Sequence, residues 1–231
     1  MSLIGNGSIG SPLGDLDVLD TNILLFDADT LTEKMLAIQK GVSENYWVIV
    51  RSNVNEIFYS FEVTSGGINT IPVVSTISSA TYVFGTISSP FAGWLAVTPQ
   101  NDAIAEANFV SNSYLYDFNN LTGILSNQDT LIVSVFPTSP YDLVYGVEFS
   151  PNGEYIYMGN KNPSTGFDFQ ILQFDRSAGF GNVMGTRQQT AFIASKTIEQ
   201  VGGMHLREDD VIYFTTTKQT ALSTINNPNN W

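Results

Sequence analysis

The chain contains no cysteine. Disulfide frameworks, thiolate zinc sites and cysteine nucleophiles are therefore excluded, while the redox compartment stays open. Charge is scarce as well: Asp, Glu, Lys and Arg make up only 13% of 231 residues, about half the usual share. A coiled coil, a charge-laced helical bundle and a disordered chain all need more. Basic residues are scarcest, nine Lys and Arg against 22 Asp and Glu, for a net charge of −13. Such a surface repels phosphate backbones and anionic lipid, so neither nucleic acid nor a charged membrane surface is expected as a partner. No apolar run reaches the roughly 18 residues that a membrane span needs. The N-terminal Met1-Ser-Leu-Ile-Gly-Asn-Gly-Ser-Ile-Gly10 has neither the basic stretch nor the apolar stretch of an export signal, which points to a chain used without that route or to a piece of a longer protein.

Helical periodicity is nearly absent; its best example, residues 30–39, is short and runs straight into strand-like sequence. What fills the chain is short runs of Val, Ile, Tyr, Phe and Thr, separated by clusters of Gly, Asn, Asp, Pro and Ser. That is the pattern of many antiparallel strands joined by tight turns. The runs recur in a fixed order. In Tyr145-Gly-Val-Glu-Phe-Ser-Pro-Asn-Gly-Glu-Tyr-Ile-Tyr-Met158 a strand meets a Pro/Asn-Gly turn and returns as a second strand, and Phe169-Gln-Ile-Leu-Gln-Phe-Asp175 follows as a third. The same grammar runs through 94–118, through 35–63 and, more degenerately, through 203–226. The corresponding turns at Thr98, Ser150 and Leu206 lie 150 − 98 = 52 and 206 − 150 = 56 residues apart. Three or four short strands in a unit of about 40 to 55 residues are the mark of propeller blades. The expected fold is all-β: a β-propeller of about four to five blades over 31–231, with an open, incomplete ring allowed, and an acidic arm with a partial strand over 1–30. The alternative is a β-sandwich with fortuitous spacing. Asn22-Ile-Leu-Leu-Phe26, 73–77 and 131–136 are left over as strands that complete or extend blades.

Leu31-Thr-Glu-Lys34, Tyr46-Trp-Val-Ile49, Thr64-Ser-Gly-Gly-Ile68 with Pro72-Val-Val-Ser75, Tyr145–Gly153 as quoted, Leu172-Gln-Phe-Asp175 and Leu222-Ser-Thr-Ile-Asn-Asn-Pro-Asn229 form an ordered set. In that set the chain resembles the β-propeller region of large secreted or surface proteins of Bacteroidetes, the type IX secretion-associated, gliding- and adhesion-like kind. The chain departs from that pattern in lacking further blades before Leu31, a signal peptide and a sorting domain. The resemblance implies an extracellular or cell-surface protein; the missing signals raise a second setting, a virion component carried by a phage.

Catalytic groups are sparse. His205 is the one histidine, and the expectation for it is a blade residue that fills space or hydrogen-bonds locally. No catalytic or cofactor-binding residue is assigned, and no enzymatic activity is expected. Asp15, Asp17 and Asp20 form an oxygen-rich cluster and are the weak metal candidates, for calcium, although the spacing lacks the Gly and distal Glu of a helix–loop–helix calcium loop. Glu208-Asp-Asp210 reads as turn chemistry. Nucleotide-binding glycine motifs are absent. Trp47 and Trp94 are expected between blades, Tyr116, Phe174 and Phe61 in the core, and Trp231 either as an anchor on a partner or as the cut end of a longer chain. The leading function is a non-enzymatic structural or adhesive module that contacts protein partners, a surface glycan, or itself through an open sheet edge. Alternatives are a lectin-like glycan binder and a hydrolase using carboxylates or calcium.

Overall fold

The computed structural model describes residues 24, 26–27, 29–81, 91–109, 111–133, 143–162, 168–193, 201–216 and 219–231. They form four antiparallel sheets. The first contains β1 (Leu31–Gln39), β2 (Tyr46–Ser52), β3 (Asn55–Thr64), the short β4 (Gly67–Ile68) and β5 (Val73–Thr81), which runs along the outer side of β3. The second is β6 (Gly93–Val97), β7 (Ala103–Asn108), β8 (Ser113–Asn119) and β9 (Ile124–Ile132). The third is β10 (Leu143–Phe149), β11 (Tyr155–Asn162), β12 (Asp168–Asp175) and β13 (Gln188–Ile193), and the fourth is β14 (Val201–Leu206), β15 (Ile212–Thr216) and β16 (Ser223–Ile225). The sheets follow one another around an axis as a four-bladed β-propeller, with β1, β6, β10 and β14 innermost and packed β1 on β6, β6 on β10 and β10 on β14. The sandwich alternative falls. The helical signal over 30–39 resolves as β1, because Lys34 and Ile38 on one side of it are buried against the second blade. Among the described residues the only helical turns are 3₁₀, at Arg176–Ala178 and Val183–Thr186, and no helix is long and apolar enough to cross a membrane.

Sequence dictates the turns directly. In three blades the turn after the innermost strand needs a left-handed residue, and Asn101, Gly153 and Asp210 supply it with φ of 57°, 74° and 60°. Each donates its N–H back to the carbonyl three residues earlier, at Thr98, Ser150 and Arg207. Asn, Gly and Asp are the residues that tolerate this conformation. The fourth turn thus opens at Arg207, one residue later than the repeat spacing suggests.

Three of the seams are apolar. Ile38, Trp47, Ile49, Phe58, Ile104 and Tyr116 join the first two blades. Val147, Phe149, Phe174 and Leu115 join the second and third, and Tyr157, Phe169, Met204 and Phe214 the third and fourth. Each fully buried side chain of this size contributes roughly 1.5–3 kcal/mol. The core positions expected for Tyr116, Phe174 and Phe61 are observed, as is that of Trp47, whose Nε1–H donates to the Asn120 carbonyl at 2.8 Å. Beyond β16 the chain crosses to the rim of the third blade. There Asn229 Oδ1 accepts from the Asn152 N–H at 3.0 Å, and Trp231 stacks on Tyr155 at 5.5 Å.

A charged cluster is sealed inside the first seam. Lys34 Nζ lies 2.6 Å from Glu106 Oε1 and also bonds Asn108 Oδ1; Arg51 Nε lies 2.9 Å from the same carboxylate oxygen, and Tyr116 OH donates to Oε2 at 2.8 Å. Lys34, Arg51 and Glu106 side chains are wholly buried. Burial pushes Lys34 down to about 8 even though Glu106 pulls the other way. Burial also pushes the Glu106 carboxyl up, but Arg51 and Lys34 more than reverse this and hold it below the usual range.

Candidate functional site

Around the axis, the innermost strands of the four blades leave open space among the described residues. A cavity of about 410 Å³ is lined by all four innermost strands: Met35 and Ala37 from β1, Trp94 and Leu95 from β6, Glu148 from β10, His205 and Leu206 from β14. A second cavity of about 540 Å³ adjoins it and shares Trp94 and His205, with Tyr145, Arg207, Tyr213 and Thr215 on its walls.

Alternation along the strands places these side chains. On β10, Val144, Val147 and Phe149 turn into the core with the second blade. The intervening Glu148 turns the other way, toward β14. Its Oε1 accepts the Phe149 N–H and its Oε2 the Leu206 N–H, each at 2.9 Å, and His205 Nδ1 lies 3.9 Å from Oε2. Burial raises the Glu148 carboxyl to about 7, overriding the two backbone N–H groups that favour the charged form. A carboxyl group poised near neutrality, reaching a cavity, is suited to give and take protons.

Trp94 is 40% exposed and crosses from the second blade to the fourth, where it lies on Gly203. A Cβ at Gly203 would stand 3.2 Å from the indole, and a Cβ at Gly146 would stand 2.2 Å from the Gly202 carbonyl oxygen, so these glycines permit the close approach at the axis. The Tyr145 ring lies 6.5 Å from the Trp94 ring, tilted by 42°. Its hydroxyl donates at 2.9 Å to Glu33 Oε1, which also accepts the Gly93 N–H at 3.2 Å. Burial, and then Glu33, raise the Tyr145 hydroxyl above its usual range. The first, second and third blades are thereby tied together at the rim of the site.

Several expectations are corrected by this arrangement. His205 is no space-filler: its side chain is 81% exposed and borders both cavities. Trp94 is not sealed between blades, because the strand it lies on, β14, presents Gly203 rather than a side chain to the indole. Asp15, Asp17 and Asp20, the calcium candidates, lie outside the described residues. Among the described residues no three His, Asp or Glu side chains gather as a metal site, and Glu208–Asp209–Asp210 forms the turn expected of it, with Asp209 Oδ2 accepting the Tyr213 hydroxyl at 2.9 Å. Sequence reasoning missed Glu148 altogether. Its signal was present: an acidic residue inside the otherwise apolar strand Tyr145-Gly-Val-Glu-Phe149, and a Gly-Gly pair inside another strand.

The raised carboxyl gives a measurable pH signature. Between about 4.5 and 7 the folded chain holds a proton at Glu148 that the unfolded chain has lost, so stability falls as pH rises through that window. Glu148→Gln is expected to remove this slope, worth roughly 2–3 kcal/mol across the window. Urea melts at pH 4.5, 6 and 8 check it; an unchanged slope in the variant would place the titrating group elsewhere.

No family model matches the chain, and no curated protein does. Solved structures match at the level of fold. The PQQ domain of a pyranose dehydrogenase from Coprinopsis cinerea has a TM-score of 0.55 at 12% identity, over 82% of this chain and 44% of that one. A protein from Lactobacillus plantarum gives 0.51 at 11%, over 82% and 50%. The β-propeller domain of Cps50 (Swd1) from Myceliophteria thermophila gives 0.50 at 11%, over 84% and 50%. The chain thus spans about half the length of each. One further expectation is corrected here: the blade architecture is shared with a dehydrogenase domain, so the fold gives no ground for excluding an enzyme.

Proposed function

We propose that the protein recognises carbohydrate in the paired cavities beside the propeller axis, as a binding module displayed at a cell surface or on a virion. The observation that carries this reading is the wall of Trp94, Tyr145 and Tyr213 beside Glu148 and His205. A pyranose ring presents an apolar C–H face that stacks on aromatic rings, while its hydroxyls take hydrogen bonds from polar groups at the edge. The setting rests on the sequence resemblance to surface propellers. Calorimetric titration of the intact protein with a panel of plant, bacterial and algal oligosaccharides tests the reading. Saturable binding that competes among related sugars supports it; absence of heat with every class sinks it.

A second reading, hydrolysis at the same site, is favoured by Glu148 alone. A carboxylic acid still half-protonated near pH 7 acts as the proton donor to a leaving oxygen. Turnover is then expected to decline as pH rises above about 7, and a flat profile from pH 5 to 9 would remove Glu148 from the chemistry. Self-association belongs to the first reading as well, through the outer side of the fourth blade, where β16 is the last described strand. Light scattering on the native protein is expected to give more than one chain; a mass equal to one chain counts against that contact.

A further inference from the structure

We infer that the ligand of this site is an acidic saccharide, a uronate-containing oligosaccharide whose carboxylate is met by Arg207. The inference rests on the carbohydrate reading and adds to it the sign of the ligand's charge. The chain has nine basic residues against 22 acidic ones, and those described are mostly committed to carboxylates. Lys34 and Arg51 are sealed around Glu106, Lys40 pairs with Glu62 at 2.8 Å, and Arg176 pairs with Asp102 at 2.9 Å. Arg207 is held differently. Its guanidinium lies 5.8 Å from the centre of the Tyr213 ring, on the wall of the larger cavity.

The lining of that cavity has the opposite balance from the rest of the molecule. It contains the cation Arg207, and no Asp or Glu among the described residues, in a protein of net charge −13. Arg207 on Tyr213 is oriented in advance, and a guanidinium meets a carboxylate with two parallel N–H bonds. The aromatic faces of Trp94 and Tyr145 take the ring, and the guanidinium takes the acid. Glu208, Asp209 and Asp210 follow Arg207 in the turn, and Asp209 takes the Tyr213 hydroxyl at 2.9 Å, so on a surface this acidic the guanidinium on the cavity wall is the group able to draw an anionic ligand in.

Oligogalacturonate, its methyl ester of the same length, and acetate at matched ionic strength are the three probes. The acid is expected to bind at least tenfold more tightly than the ester, with that margin shrinking as salt is raised from 50 to 500 mM, and acetate alone is expected not to bind measurably. Arg207→Gln is expected to bring the acid down to the level of the ester. Arg207 is exposed, so its melting temperature serves as the control for folding. Equal binding of acid and ester overturns the charge inference and leaves carbohydrate recognition standing. Absence of binding by both saccharides overturns the charge inference, while the carbohydrate reading falls only if the wider oligosaccharide panel also gives no heat. A preference that survives Arg207→Gln, or that ignores salt, assigns the acid to another group and also overturns it.

Discussion

Glu106→Gln is expected to lower stability by about 3–5 kcal/mol, the largest single effect in the described part of the molecule. Glu106 is the one carboxylate shared by two fully buried cations, Lys34 at 2.6 Å and Arg51 at 2.9 Å, and its other oxygen takes the Tyr116 hydroxyl. Gln keeps the volume and one acceptor but removes the charge. Lys34 and Arg51 would then face each other in a medium that solvates neither, and Lys34, already down at about 8, would be driven toward its neutral form. On a domain of typical marginal stability this is a third of the total or more, a fall in Tm of roughly 10 °C. Lys34→Met is the informative companion, because it leaves the Arg51–Glu106 pair neutral overall, and its loss is expected to be the smaller of the two. pH separates charge from packing. From about 8 up to 10.5 the unfolded chain holds a proton on this lysine that the folded chain has released, so wild-type stability rises with pH across that window. Lys34→Met should abolish the rise. A loss below about 1 kcal/mol for Glu106→Gln at pH 7 would mean that water reaches the cluster, contrary to its burial.

Trp94→Ala is expected to weaken saccharide binding by roughly 30- to 100-fold, about 2–3 kcal/mol, while leaving the fold intact. The indole forms part of both cavity walls, and it lies on Gly203 and near Tyr145 rather than inside an apolar cluster. Its removal joins two cavities into one wide, aromatic-poor space and takes away the largest flat surface available to a sugar ring. Trp47→Ala gives the contrast. That ring is 97% out of solvent in the first seam, so its loss is expected to lower Tm steeply. Calorimetric titration and thermal melts on both variants check the pair. Unchanged affinity in Trp94→Ala would move the binding surface away from these cavities.

The chain's own sequence determined the blades. Alternation within each strand and turn residues at fixed offsets are local properties, and they carry through to β10, β11 and β12 almost residue for residue. Asn101, Gly153 and Asp210 could be recognised as turn residues because only a few side chains tolerate a positive φ. What alternation cannot say is which face of a strand meets a neighbouring blade and which meets open space. Val147 and Glu148 are adjacent residues of one strand; one is core with the second blade, the other faces the fourth across more than fifty residues of chain. Trp94 was read as buried between blades for the same reason, and His205 as a residue that fills space or hydrogen-bonds locally. Tertiary structure alone decided that the innermost strands of the four blades face one another across a cavity, and that Gly203 leaves Trp94 room at the axis. It also put the arginine that opens a degenerate turn on the wall of that cavity. Strand order follows from short-range steric rules, while the site follows from how four sheets close around an axis, a balance of packing that no single stretch of sequence contains.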